Sequence, residues 1–116
     1  MLIFTLSSSL TLVATGAAPT LPPYPEALAC AAVAQAAAEL SKDPVTGIPE
    51  GQVFDVAMYW SFVVMDAARP TGMSSKAAEA EQVTARAAVK PLLASGDAAT
   101  KARLADCTAR TPPLAG

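Results

Sequence analysis

The side chains whose types could do chemistry are Cys30, Cys107 and the carboxylates Asp55, Asp66, Glu79 and Glu81, in a chain of 116 residues with no histidine. Without an imidazole, a Ser-His-Asp or Cys-His centre, a histidine-ligated metal and a c-type haem site are excluded. The two cysteines do not form a C-x-x-C pair, so redox-motif and zinc-ribbon spacings are missing. Neither has a basic sequence neighbour to lower its pKa, which argues against a thiolate nucleophile. Asp55 and Asp66 would stand three helical turns apart, roughly 16 Å. That is too far to share a proton or to flank a glycosidic bond. Glu79 and Glu81 are two positions apart and face different directions on a helix. Phosphate loops, nucleophile elbows and acidic calcium loops do not occur in the sequence. The residues thus predict no catalytic, cofactor-binding or metal-binding site, and a non-enzymatic protein.

Disulfide formation is the chemistry that the cysteines fit best. In an oxidising compartment Cys30 and Cys107 pair most simply with each other, and closing so long a loop stabilises a domain by roughly 4 kcal/mol. The alternative is two unrelated buried thiols. Compartment is read from the amino terminus, where the first charged side chain is Glu26. Leu2, Ile3, Phe4, Leu6, Leu10, Leu12 and Val13 form an apolar run, followed by the small residues Ala14 to Ala18. That order resembles a secretory signal peptide over residues 1–18, although no Lys or Arg precedes it and Ser7 to Ser9 interrupt it. The alternative is an N-terminal helix that packs on the domain. A proline-rich leader over 19–25, a helical domain over 26–110 and a flexible tail over 111–116 complete the organisation. The expected location is periplasmic or secreted, with no membrane span after signal cleavage, since the apolar stretch is short and the prolines from Pro19 interrupt it.

Composition says what must hold the cysteines in place. Alanine supplies 27 residues, while aromatics are only 5 % of the chain. Alanine is the strongest helix former, and β-branched and aromatic residues that suit strands are scarce. The expectation is an all-α fold, a small four-helix domain with one disulfide linking the first and last helices. With 8 basic against 10 acidic residues, a net charge of −2 and no basic run, nucleic-acid binding is not expected.

The first helix is expected over Glu26 to Leu40, with Cys30, Val33, Ala37 and Leu40 on one face and Gln35 and Glu39 opposite. A loop with two prolines and two glycines spans Ser41 to Gln52, within which Pro49 with Glu50 offers a start for the next helix. The second helix, Val53 to Arg69, holds ten large apolar residues between Val53 and Met65 and is expected to be central, touching every other element. Val53, Ala57, Trp60, Val64 and Ala67 share one side; Asp55, Tyr59, Phe62, Asp66 and Arg69 line the other. After a turn at Pro70 to Met73, Ser74 or Ser75 caps a third, largely exposed helix that Pro91 ends or kinks. Asp97 caps a fourth helix, with Leu104 and Cys107 nearly on one face.

Asp55, Tyr59, Phe62, Asp66 and Arg69 are the candidate interaction surface: two aromatics flanked by charge, suited to a protein partner or a small ligand. Helices packing on both sides would account for the same stripe, and Asp66 with Arg69 fits an ordinary i,i+3 ion pair. The leading expectation is an exported accessory or interaction protein. Alternatives are a carrier of a small apolar ligand between the helices and a periplasmic stress-protective holdase.

A cysteine in an alanine-rich first helix, an Asp-containing loop, the run AMYWSFVVMDAARPTGM and a second cysteine near the end resemble small exported two-cysteine helical proteins of sphingomonad-type bacteria. The likeness covers most of residues 26–110. Those proteins often show Tyr-Phe-x-Gly-Arg in the central helix, whereas this chain has Tyr59, Trp60, Ser61 and Phe62, without the Gly-Arg step. The resemblance implies export and a helical fold, and it adds no activity and no site.

Overall fold

A computed structural model describes residues 21–41 and 47–113. The signal-peptide reading, the start of the leader, part of the first loop and the last three residues of the tail lie outside them.

Helix α1, Tyr24–Glu39, is preceded by Pro23 and carries Pro25 in its first turn, where a fixed φ suits the helix and a missing N–H costs nothing. It therefore begins two residues before the sequence expectation. Helix α2, Glu50–Ala68, follows Pro49, so it starts at the Pro49–Glu50 step and takes in the last three residues of the expected loop. A 3₁₀ turn, Arg69–Thr71, ends it. Gly72 there has φ of 83°, a left-handed conformation that glycine adopts without strain, and its N–H donates to the Arg69 carbonyl at 3.1 Å.

Helix α3, Ser75–Ala94, starts at the side chain of Ser74, which accepts from the Ala77 N–H at 3.1 Å. It runs through Pro91 instead of ending there. Proline removes its own N–H bond and crowds the carbonyl four residues back, but that carbonyl belongs to Ala87, which is exposed to water. The stop comes at Gly96, φ 81°, where the N–H groups of Gly96 and Asp97 return to the carbonyls of Leu93 and Leu92, each at 3.0 Å. Helix α4, Ala98–Ala109, is capped by Asp97, whose carboxylate accepts from the Thr100 N–H at 3.0 Å and the Thr100 hydroxyl at 2.7 Å. Those bonds, the hydroxyl's first, hold the Asp97 carboxyl below its ordinary pKa.

The fold is the expected all-α four-helix domain, but its centre is α1 and not the aromatic helix. Ala27, Cys30, Ala31, Ala32, Val33, Ala34, Ala36 and Ala37 are all buried, which covers α1 on every side except the stripe of Leu28, Gln35 and Glu39. Helices α2 and α3 flank it along its length, and α4 meets it at the cysteine. A helix walled with methyl groups lets neighbouring backbones come close, so it sits innermost, while a helix with large side chains needs only one face inside. The polar side of α1 is partly covered at Gln35. The Gln35 amide donates to Ser61 Oγ on α2 (3.0 Å) and Gln82 Oε1 on α3 (2.9 Å), and its oxygen accepts from Arg86 at 3.1 Å. Every buried polar side-chain atom among the described residues has a partner.

Cys30 and Cys107 form a disulfide across 77 positions, with their Cα atoms 5.6 Å apart, and it joins the first helix to the last. Trp60, 2 % exposed, closes the cluster from α2. The five α2 positions expected to face inward, Val53, Ala57, Trp60, Val64 and Ala67, are all buried.

Candidate interaction face

The buried side of α2 leaves an outer side with a regular order. Gly51, Asp55, Met58, Phe62, Met65 and Arg69 follow one another in steps of four, three, four, three and four residues. Alternating three- and four-residue steps keep side chains on one narrow helical stripe, the spacing that coiled coils use for a seam between helices. Here the seam faces outward. Phe62 is 66 % exposed and Met58 56 %, with Phe54 at 50 % on one flank.

Charges stand at both ends of this apolar centre. Asp55 is exposed, at the edge of an open hollow of about 360 Å³ that Thr108, Thr111 and Pro112 also line. Arg69 pairs with Asp66 at 2.7 Å, and with 73 % of its side chain exposed it remains free to reach outward. An exposed pair of this kind contributes under about 1 kcal/mol to the fold. Met65 lies at the edge of the core, where its sulfur accepts from Gln82 Nε2 at 3.2 Å.

Of the five residues expected to line the face, Asp55, Phe62, Asp66 and Arg69 do so. Tyr59 does not share its outward direction: it is half-buried, with its ring edge-on to Trp60 at 5.3 Å and 86°. It helps to fix the indole instead. Sequence reasoning missed Phe54 and Met58, whose four-residue spacing to Phe62 was the signal available.

A second cluster gathers around the disulfide. The Trp60 Nε1–H donates to the Cys107 carbonyl at 3.1 Å and to Thr111 Oγ1 at 3.0 Å. The Arg110 guanidinium lies 5.3 Å from the Trp60 ring and pairs with Glu26 on α1 and with Asp106. With both sulfurs in the disulfide, this is a fastening and offers no nucleophile.

Along one edge of the molecule, the Tyr24 hydroxyl donates to Glu81 at 2.7 Å and ties α1 to α3. Burial first, then that hydrogen bond and the charge of Glu81, push the Tyr24 pKa up to about 12. A shallow groove of about 440 Å³ beside it is lined by Leu28 of α1 and Ala80, Thr84, Ala85 and Ala88 of α3. Among the described residues no three metal-ligating side chains converge, and no helix is long and apolar enough to cross a membrane. Comparison of the chain with family models, curated proteins and solved structures returned no match.

Proposed function

We propose that the protein works outside the cytosol as a non-enzymatic interaction module, and that its contact surface is the outer face of α2. The observation that carries this reading is the exposure of Phe62 and Met58 at the middle of a seam-spaced stripe. Large apolar side chains scattered singly on a surface need no explanation, but a contiguous row rimmed by charge fits a partner. The disulfide supports the export reading, since such bonds persist in oxidising compartments. It also gives the face a rigid backing: α2 is held by Trp60 to the same residue that closes the covalent loop.

Photo-crosslinking in the host tests this. A benzophenone amino acid in place of Phe62 should give discrete crosslinked adducts on irradiation. The same group in place of Val83, which is 54 % exposed on α3, should give none. Equal yields at both positions, or none at either, would remove the reading.

A further inference from the structure

Resting on that reading, we infer that the partner of the α2 face is a second copy of this chain, docked antiparallel about a two-fold axis at Phe62. The stripe has the arrangement that self-pairing requires. Asp55 lies seven residues before Phe62 and Arg69 seven after, so all three fall on one line of the helix. In an antiparallel pair centred on Phe62, each position meets the one equally far on the other side. Asp55 of one copy then faces Arg69 of the other, twice by symmetry, at the two ends of a contact spanning roughly 21 Å.

Between the charged ends Phe62 meets Phe62, while Met58 falls opposite Asp66 and Met65 opposite Tyr59, so Met58 of one copy and Met65 of the other sit side by side, one position out of register. A parallel pair would instead set Asp55 against Asp55 and Arg69 against Arg69, so charge selects the antiparallel form. Arg69 already holds Asp66 at 2.7 Å with most of its side chain exposed, and it can reach a second carboxylate without leaving the first. One helix face buries less than a standard interface, so the dimer is weak and reversible and forms at high protein concentration.

Sedimentation velocity of the oxidised chain, with charge swaps, decides this. The unaltered chain should shift from monomer to dimer as concentration rises to about 1 mM. Asp55→Arg and Arg69→Asp should each weaken dimerisation by about ten-fold or more, since each sets like charges together at both ends. The double variant should restore it. Mixing the two single variants should also restore it, as a heterodimer with opposite charges at both ends. All substituted positions are exposed, and unchanged helical circular dichroism confirms the fold. A chain that stays monomeric at about 1 mM overturns the proposal, as do single variants that dimerise normally or a mixture that does not pair. Should Phe62 crosslink a different protein in the host while the purified chain stays monomeric, the interaction face stands and self-pairing falls.

Discussion

The indole of Trp60 and the backbone of Cys107, 47 positions apart, are joined by a 3.1 Å hydrogen bond, and Cys107 is also the residue bonded to Cys30. One residue of α4 thus fastens α1 covalently and α2 through its carbonyl.

Trp60→Phe keeps most of the buried ring but removes the N–H that reaches Cys107 and Thr111. The Cys107 carbonyl still accepts from the Thr111 hydroxyl at 2.8 Å, so it is not orphaned. A loss of about 2 kcal/mol is expected from the missing bond and the smaller ring. Trp60→Ala should cost about 3–5 kcal/mol. Denaturant unfolding of both variants measures this, and equal losses would show that the ring's volume contributes nothing.

Replacing Cys30 and Cys107 with serine should lower stability by about 4 kcal/mol, the cost of freeing a loop of 77 positions. Urea unfolding of the double variant against the oxidised chain reads it.

Ala31 faces the packed interior of the bundle, where a larger side chain has nowhere to go. Ala31→Leu, at a position with 0 % exposure, should destabilise by about 1–3 kcal/mol, although leucine ranks just behind alanine as a helix former. Ala102→Leu on the exposed side of α4 should change stability by less than about 0.5 kcal/mol. Thermal melts of the pair separate packing from propensity.

At alkaline pH the Tyr24 hydroxyl is the group to follow. Its pKa rises from 10.0 when unfolded to about 12 in the fold, so the stability that it lends is complete below pH 10 and is lost as pH climbs through 12. Phenolate absorbance should show a transition near 12 that Tyr24→Phe abolishes, and that variant should lose less stability than the parent between those two pH values.

The alanine content and the turn residues made the helical fold readable, and the spacing of α2 marked its buried face correctly. The cysteine pairing was legible from the number of cysteines and the expectation of an oxidising compartment. The centre of the bundle was not, because large side chains advertise a core whereas the methyls of Ala31, Ala34 and Ala37 do not. The burial of these alanines in the folded bundle shows that α1 is innermost. Of the two outcomes that Pro91 allowed, an end or a kink, the helix does not end there, since a missing N–H matters little where the facing carbonyl is wet. Tyr59 and Phe62 looked equivalent in sequence, yet their directions differ by one step around the helix. That step puts one ring against Trp60 and the other in solvent.

Alkylation of the protein straight from its host, without prior reduction, followed by peptide mass spectrometry, reads the state of both sulfurs. No cysteine should be alkylated, and a single crosslinked species should join the peptides of Cys30 and Cys107. Two alkylated cysteines on the freshly isolated chain would contradict both the fastening of the first helix to the last and the site of action outside the cytosol.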